Sequence, residues 1–563
     1  MEILNGSQIL IKTLINEGVD TIFGYPGGTI MPLYDELYNY REAINHLLVR
    51  HEQGAVHAAE GYSRASGKVA VCMATAGPGA TNLITGIADA YADSTPIVCI
   101  TAQVPHDKLG SNFFQEADII SLTIPVTKWN YQITKPEEIQ ETLSKAFYIA
   151  QKGRPGPVLL SITRDSQTGT ANYYPNKVFK FEFPCFKRFE IDESTISKVN
   201  EWINSSEKPL IIAGQGITLS SAEKELLQLA ERGGIPVATT LMGVSAFPTL
   251  HEFFAGNVGM HGNLAPNFMT QKSDLILALG MRFSDRVTGD VTKYAPLAKI
   301  VHIDIDKSEF NKSVKSHIQL HGDLLQILKR VLPGIRYKER EEWIEFMKKY
   351  KKIEQEKVVD KLFKKEEKEG ISMAQVIDAI SRKCDGEQVI VTDVGQHQMF
   401  SARYAKFKRG RSFITSGGLG TMGFGLPAAM GAKIGVPERQ VVAVTGDGGF
   451  QMTMQELGTI AQSGIDLKIV ILNNSFLGMV RQWQELFFER RYSSTEMKNP
   501  DFTTIARAYG IKASMVTSKK DMEIHIDKMF NHKGAYLLEI AVNKEENVFP
   551  MVPAGASLDD IMY

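Results

Sequence analysis

The stretch VVAVTGDGGFQMTMQELGTIAQSGIDLKIVILNN (residues 441–474) decides the fold. A run of β-branched residues, VVAVT, is followed by a glycine-rich turn, by apolar residues at helical spacing, and by a second apolar run, LKIVIL. This order predicts a parallel strand–helix–strand unit. The carboxyl ends of its two strands meet at one edge of a sheet, which is where α/β proteins bind ligands.

The two strand ends carry oxygen ligands. Asp447 follows the first strand and Asn474 follows the second. A carboxylate and a side-chain amide oxygen suit Mg²⁺, and the glycines let a backbone approach phosphates. A helix expected to begin near Gln451 would offer its N-terminal amides to those phosphates. The alternative is a tight turn with an incidental aspartate, followed by a second turn with two asparagines.

A second stretch, VAVCMATAGPGATNLITGIADAYADSTPIVCITA (69–102), repeats the same order at nearly the same length. Two such units in one chain indicate duplication of a ligand-binding fold. Irregular residues 166–190 and the highly charged run 335–370 separate three segments that alternate apolar strands with helical patterns. We therefore predict an α/β protein with three doubly wound parallel-sheet domains, at 1–170, 190–335 and 370–550. The charged run is interpreted as a solvated helix between domains.

Composition excludes several classes of function. Lysine plus arginine number 63 against 64 for aspartate plus glutamate among 563 residues, which argues against a nucleic-acid or anionic-membrane surface. Apolar content of 43% argues against disorder. Four cysteines without C-x-x-C spacing fit a reducing compartment. Because the start has no signal or transit pattern and no apolar run is long enough to cross a membrane, we expect a cytoplasmic protein.

The GDG sequence followed by NN resembles the thiamine diphosphate-binding motif. Read from end to end, the chain resembles the catalytic subunit of biosynthetic acetohydroxyacid synthase (acetolactate synthase). The motifs that carry this resemblance are FGYPGG (23–28), RHEQGA (50–55), TAGPGATN (75–82), FQEAD (114–118), KWN (128–130), GRPGPV (153–158), RFSDRVTG (282–289), DVGQHQM (393–399), GGLGTMGFGLPAA (417–429), NNSFLGMVRQWQ (473–484) and the terminal FPMVPAGASLDD.

The resemblance implies a catalytic glutamate in the first segment. Glu52, just before a helix start, would promote the shift of the cofactor's aminopyrimidine to the imino form that removes the thiazolium C2 proton. By composition alone, Glu52 reads as a solvated glutamate at a helix N-terminus. The backbone of Gly28, together with Phe114 and Gln115, would lie near the substrate.

The resemblance also assigns the cofactor sites, with a pyrimidine-binding first domain, a central Rossmann-like domain that binds FAD, and a diphosphate-binding third domain. Met422 would wedge beneath the cofactor, although core packing is the plain alternative. The implied ligands are Gln396, His397, Gly448, Gly478 and Met479 for the diphosphate, and Asp447, Asn474 and the main-chain carbonyl of Phe476 for Mg²⁺.

For the central segment the resemblance implies a structural FAD, since the net reaction transfers no electrons. Asp304, at a strand end, could hold a ribose or simply cap a helix. The residues that would line the flavin are Arg154, Gly214, His261, Arg282, Asp304 and Asp323.

The implied reaction decarboxylates pyruvate and ligates the hydroxyethyl group to a second pyruvate or to 2-oxobutyrate, giving 2-acetolactate or 2-aceto-2-hydroxybutyrate for branched-chain amino acids. Trp483 would offer a flat wall for the extra methyl of 2-oxobutyrate, with a domain-interface tryptophan as the alternative. Arg164 stands where many members have lysine. The resemblance further implies a homodimer or a dimer of dimers and a separate regulatory small subunit.

Alternatives on the same scaffold are a pyruvate oxidase or a 2-oxo acid decarboxylase. They differ in the fate of the two-carbon unit, which the cofactor motif does not report. A non-catalytic relative would lack Glu52 or Asp447, and both are present. A flavin dehydrogenase is disfavoured because no hydride-handling residues accompany the implied flavin site.

Overall fold

Long aliphatic runs form the strands of three parallel sheets, buried on both faces as parallel sheets require. The computed structural model describes residues 1–175, 177–181, 192–364 and 370–563. Cys185 lies outside the described residues. In the described part of the chain, no helix combines the length and apolarity needed to cross a membrane.

The first domain carries a sheet in the order β3-β2-β4-β5-β7-β6, beside a small antiparallel pair of β1 with β8. Its strands are β1 (Glu2–Asn5), β2 (Thr21–Tyr25), β3 (Asn45–Leu48), β4 (Ala70–Ala74), β5 (Ile97–Gln103), β6 (Trp129–Ile133), β7 (Val158–Thr163) and β8 (Thr170–Tyr173). Its helices are α1 (Gly6–Asn16), α2 (Met31–Asn39), α3 (Glu52–Ser66), α4 (Pro78–Asn82), α5 (Ile84–Ala92), α6 (Ile119–Thr123), α7 (Ile139–Gln151) and α8 (Arg164–Thr168).

The central sheet has the order β11-β10-β9-β12-β13-β14. Within the domain this is the 3-2-1-4-5-6 order of dinucleotide-binding folds, with the crevice between β9 and β12. The strands are β9 (Pro209–Ala213), β10 (Val237–Thr239), β11 (Phe254–Asn257), β12 (Leu275–Leu279), β13 (Lys299–Asp304) and β14 (Ile318–His321). The helices are α9 (Glu193–Ser205), α10 (Gly216–Leu219), α11 (Glu223–Gly233), α12 (Leu264–Lys272), α13 (Asp285–Thr288), α14 (Leu324–Val331), α15 (Glu341–Glu354) and α16 (Asp360–Phe363).

The third sheet has the order β16-β15-β17-β18-β20-β19, which repeats that of the first sheet strand for strand. Its strands are β15 (Val389–Thr392), β16 (Phe413–Ile414), β17 (Val441–Gly446), β18 (Lys468–Asn473), β19 (Lys512–Val516) and β20 (Tyr536–Ala541). Its helices are α17 (Met373–Lys383), α18 (Gln396–Tyr404), α19 (Gly425–Gly435), α20 (Asp447–Thr453), α21 (Leu457–Gln462), α22 (Gly478–Phe487), α23 (Phe502–Ala508) and α24 (Lys519–Asn531).

Shorter helical turns complete the described elements. They are the 3₁₀ turns Gly28–Ile30, His106–Lys108, Ile124–Val126, Pro136–Glu138, Leu241–Gly243, Lys307–Glu309, Leu332–Gly334 and Met454–Glu456, and the π-helical turn Gln355–Val359. The predicted class, α/β with three doubly wound parallel-sheet domains, is confirmed.

The first and third domains share one apolar core, because α3 crosses α19 in close contact. A β-carbon on Gly61 would lie 1.8 Å from the carbonyl oxygen of Ala428, and one on Gly431 would lie 1.8 Å from that of Ala58. Only glycine permits this approach of the two backbones. The crossing fixes the carboxyl ends of the first sheet relative to the third.

Three local predictions need correction. Residues 166–190, predicted to be irregular, begin with regular structure, since they include the end of α8 and the strand β8, which pairs with β1. The charged run at 335–370 contains α15, but this helix is not simply solvated. The Trp343 and Met347 side chains are buried, and the Trp343 indole nitrogen donates to Pro209 O at 2.8 Å. Helix α20 begins at Asp447, ahead of the predicted Gln451.

Candidate active site

The turn after β17 places Asp447 at the first position of α20, where the carboxylate is buried. Burial raises the pKa of Asp447 to about 6, against the opposing hydrogen bond from Asn499. A cation beside this carboxylate would favour its charged form. Asn474, at the end of the neighbouring strand β18, is also buried, and the donor set of hard oxygen atoms fits Mg²⁺.

The backbone around Phe476 presents a further oxygen. Leu477 N donates to Thr495 O and Met497 N donates to Ser475 O, both at 2.8 Å. Phe476 lies between these bonds, opposite Glu496, so its own carbonyl points away from residues 495–497. The carbonyl is therefore free to face the turns at Asp447 and Asn474.

Space and donors for a diphosphate lie next to these turns. A β-carbon on Gly448 would lie 2.8 Å from the Leu477 side chain and 3.7 Å from Met422 Cε. Because glycine has no side chain, the space beside its backbone stays open for a ligand. The His397 ring packs against Gly446, and its buried Nε2 has no hydrogen-bond partner among the described residues. Such an orphaned nitrogen fits an anionic ligand.

Gln396 joins the same cluster. Its Oε1 accepts from Asn474 Nδ2 at 3.3 Å, and a β-carbon on Gly478 would lie 2.2 Å from that oxygen. The structure thus brings Gln396, Asn474 and Gly478 together, as predicted for neighbours at one site. Burial lowers the pKa of His397 to about 4, so its ring is neutral near pH 7.

A cavity of about 1650 Å³ opens where the three domains meet. Met422, Met479 and Trp483 line it on the side of the diphosphate cluster. The Arg286 guanidinium lies over the Trp483 ring, 6.0 Å from its centroid. An aromatic wall and a cation therefore stand side by side at this end of the cavity.

The other end of the cavity lies at the switch point of the central sheet. His261 is half-buried there, its buried Nε2 has no hydrogen-bond partner among the described residues, and desolvation lowers its pKa to about 3. Burial raises the pKa of Asp304 to about 7. The predicted residues that line this part are Arg154, His261, Arg282, Asp304 and Asp323. A crevice of this size, with an orphaned buried nitrogen and acidic groups at strand ends, fits a dinucleotide such as FAD.

Two predicted flavin contacts have other partners as well. Gly214 packs against the central sheet, where a β-carbon would lie 2.2 Å from Gly280 O, and its neighbours Gln215 and Gly216 line the cavity instead. Asp323 also caps α14 by accepting from Gln326 N at 3.0 Å.

A second group of predicted residues gathers at the carboxyl edge of the first sheet. Glu52 begins α3 and its Oε2 accepts from Asn82 Nδ2 at 3.0 Å. Arg164 donates to Gly28 O at 3.0 Å, which shows what the arginine at this position contacts. The backbone of Gln115, at φ 66°, approaches Gly77.

Phe114 is 81% exposed, although a substrate-contacting phenylalanine should be covered. None of Gly28, Glu52, Phe114 and Gln115 lines the cavity that contains Met422 and Trp483. The candidate residues of one chain therefore form two half-sites, one at the carboxyl edge of the first sheet and one at that of the third. One half carries Glu52 and the other carries Asp447.

Sequence reasoning gave no role to three residues at these half-sites. Asn82 and Arg286 lie inside the quoted motifs TAGPGATN and RFSDRVTG, so their motifs could have suggested them. Asn499 bonds Asp447 from a loop 52 positions away, and no local pattern marks it.

Models of one enzyme family match three parts of the chain. Three family models match the chain, described as the N-terminal TPP binding domain (4–122), the central domain (196–331) and the C-terminal TPP binding domain (393–540) of thiamine pyrophosphate enzymes.

Curated relatives match over almost the whole chain. A probable acetolactate synthase large subunit of Methanocaldococcus jannaschii is 44% identical, covering 99% of this chain and 95% of its own. The acetolactate synthase isozyme 2 large subunit of Escherichia coli is 41% identical over 99% of both chains. The large subunit of Lactococcus lactis is 42% identical, covering 99% and 96%. The chain therefore belongs to the acetolactate synthase large-subunit family of thiamine pyrophosphate enzymes.

Proposed function

We propose that this chain takes pyruvate, releases CO₂, and transfers the remaining two-carbon unit to a second 2-oxo acid. A second pyruvate gives 2-acetolactate, and 2-oxobutyrate gives 2-aceto-2-hydroxybutyrate, both precursors of branched-chain amino acids. When bound, thiamine diphosphate supplies a carbon nucleophile and an electron sink for decarboxylation. The observation that carries the proposal is the Trp483–Arg286 pair beside the diphosphate cluster, in a chain of this family.

The third domain would hold the charged end of the cofactor. Asp447, Asn474 and the Phe476 carbonyl would hold Mg²⁺, whose positive charge would offset the negative charge of the diphosphate. The diphosphate would also meet Gln396, His397, Gly448, Gly478 and Met479. Met422 would support the middle of the cofactor, since its side chain reaches to within 3.7 Å of a β-carbon placed on Gly448.

Glu52 would hold and move a proton at the pyrimidine end. Its carboxyl group is buried at the start of α3 and bonded to Asn82, which fixes its direction. Because Glu52 and Asp447 lie at the sheet edges of two different domains, we infer that a second copy supplies the glutamate to each site. A homodimer is then the smallest competent unit, and the exposure of Phe114, which such a second copy would cover, supports it.

The second 2-oxo acid would sit between Trp483 and Arg286. The indole offers an apolar surface to the alkyl group, and a guanidinium suits the carboxylate. Gly28, Gln115 and Phe114 would complete the pocket from the partner copy. This part of the site distinguishes a carboligase from a decarboxylase, because a decarboxylase has no second 2-oxo acid to bind.

FAD is proposed for the crevice of the central sheet, with Arg154, His261, Arg282, Asp304 and Asp323 around it. Its role would be structural, because the proposed reaction transfers no net electrons. A separate small subunit is proposed from the naming of the relatives as large subunits. We also propose a cytoplasmic location, which the buried free thiols of Cys72 and Cys99 support, since Cys72 Sγ donates a hydrogen bond to Cys99 Sγ at 3.2 Å and no disulfide joins them.

Product identification tests the proposal. Purified protein is incubated with pyruvate, thiamine diphosphate, Mg²⁺ and FAD, with and without 2-oxobutyrate. We expect 2-acetolactate in the first case and added 2-aceto-2-hydroxybutyrate in the second. Acetaldehyde as main product would instead support a decarboxylase, and an oxygen-dependent acetyl product would support a pyruvate oxidase. Either result would overturn the acceptor role of Trp483 and Arg286.

A further inference from the structure

Asp393 is a fully buried aspartate immediately after β15. Its carboxylate accepts hydrogen bonds from three backbone amides. Oδ1 accepts from Val394 N at 2.8 Å and from Gly423 N at 3.0 Å, and Oδ2 accepts from Gly425 N at 2.8 Å. A buried carboxylate with this many amide donors holds its neighbours firmly, because each such bond is charge-assisted.

Two of those amides belong to the loop that carries Met422. Gly423, the next residue, is fixed on both sides, since its amide donates to Asp393 and its carbonyl accepts from Thr453 Oγ1 at 3.0 Å. Its φ of 89° lies in the left-handed region, which favours glycine. On the other side of Met422, Thr421 Oγ1 donates to Asp89 at 3.1 Å.

Asp393 also borders the turn that would hold the diphosphate. A β-carbon on Gly449 would lie 2.3 Å from Asp393 Oδ1, so this carboxylate and the turn are in close contact. One side chain thus touches both the turn after β17 and the loop of Met422. The distance between these two parts depends on it.

We propose that Asp393 is a positioning residue for Met422, setting the depth at which that side chain meets the cofactor. The proposal rests on the proposed cofactor contact of Met422. Asp393 would act through the amides of Gly423 and Gly425 without touching the cofactor. Loss of one acceptor oxygen should release the loop while the sheet stays intact.

The test uses the full chain as Asp393→Asn, with Asp274→Asn as the matched control. Asp274 also accepts from two backbone amides, Glu207 N at 2.8 Å and Lys208 N at 3.1 Å, but lies in the central domain away from the cavity. Hydrogen exchange of residues 417–425 is measured in the apoprotein, and thiamine diphosphate affinity is measured by calorimetry with Mg²⁺ present.

For Asp393→Asn we expect exchange in 417–425 and the cofactor dissociation constant each to rise about tenfold or more, as for a lost bond to a charged group. The kcat should fall while the KM for pyruvate changes less than twofold. The control Asp274→Asn should leave the loop exchange, the cofactor dissociation constant, the kcat and the KM unchanged. Unchanged exchange and unchanged cofactor affinity would overturn the proposal.

Two further variants cover other outcomes. Thr453→Val is the variant to use if Asp393→Asn does not fold, because it removes only the hydrogen bond at the Gly423 carbonyl. It should give the same changes at smaller size. Unchanged hydrogen exchange of the loop in Thr453→Val would then overturn the proposal. Met422→Ala separates the two proposals. If it leaves cofactor affinity and kcat unchanged, the cofactor contact of Met422 is wrong, whereas the exchange result still reports on Asp393.

Discussion

Asn499 donates a hydrogen bond from Nδ2 to Asp447 Oδ2 at 2.7 Å, although the two residues are 52 positions apart. The same nitrogen donates to Asn473 Oδ1 at 2.9 Å, and Asn499 Oδ1 accepts from Gln451 Nε2 at 3.0 Å. Asn499 thus ties the ends of both strands, β17 and β18, to helix α20. This hydrogen bond fixes the direction of the Asp447 carboxylate, which is the proposed metal ligand.

Asn499→Ala should therefore weaken metal binding. Residues that orient a metal ligand typically contribute 10–100-fold in affinity, so we expect a rise of about that size in the Mn²⁺ dissociation constant. Electron paramagnetic resonance of free Mn²⁺, titrated in the presence of thiamine diphosphate, measures it. The exposed Asn531→Ala is the control. Equal affinities in both variants would contradict the orienting role.

The two half-sites predict complementation between inactive variants. Glu52→Gln and Asp447→Asn each remove one half, so each homodimer should be inactive. When differently tagged copies are co-expressed, the mixed dimer regains one intact site, and random pairing should restore about one quarter of wild-type activity.

Doubly purified mixed dimers should keep about half of the wild-type activity per dimer. Product formation from pyruvate is the measurement. If each site were built by a single chain, every chain of the mixed dimer would lack either Glu52 or Asp447. Inactive mixed dimers would therefore show that one chain builds a whole site.

Trp483→Leu should change acceptor choice more than total turnover. Replacing the flat indole removes its contact with the extra methylene of 2-oxobutyrate, and such a contact contributes about 1–3 kcal/mol to discrimination between the two acceptors. The ratio of 2-aceto-2-hydroxybutyrate to 2-acetolactate, measured with both acids competing, should fall about tenfold or more. Trp343→Phe changes a buried tryptophan of α15 away from the cavity and should leave the ratio unchanged. An unchanged ratio in Trp483→Leu would mean that the indole serves only packing.

His46 predicts a pH effect on stability. Its Nε2 lies 3.0 Å from the Tyr34 hydroxyl, and burial lowers its pKa from 6.5 to about 4. Between these values the unfolded chain binds the proton and the folded chain does not, so stability falls as the pH drops below 6.5.

Glutamine does not titrate, so the His46→Gln variant should not show this fall in stability at low pH. Relative to the variant, wild type should lose up to about 2 kcal/mol of stability between pH 7 and pH 5. The difference in Tm between the two proteins, followed over that range, checks the sign. A constant difference would mean that His46 titrates normally in the folded protein.

Much of the fold could be predicted from sequence because the decisive patterns are local. The glycine turn between VVAVT and LKIVIL predicts a strand–helix–strand unit, and Asp447 and Asn474 lie at the adjoining strand ends that it implies. The burial of Trp343 is different, since a run rich in lysine and glutamate hides an apolar stripe that only packing against α12 reveals.

The candidate site was predictable where a motif holds its residues together. Gln396 and Asn474 follow the ends of two strands, and a hydrogen bond joins their side chains. Asn499 belongs to a loop that returns to the site from far along the chain, and the sequence around it has no periodicity. The placement of Glu52 relative to Asp447 depends on how whole domains pack, which a linear pattern does not contain.

The glycine-mediated crossing of α3 and α19 has a consequence for synthesis on the ribosome. The apolar face of α3 is made early, but the helix that covers it emerges only after the whole central domain. At a translation rate of about 5–20 residues per second, the apolar face of α3 remains uncovered by α19 for tens of seconds. The first domain is thus a natural client for chaperones, and slowing translation of residues 190–370 should lengthen the period in which it aggregates.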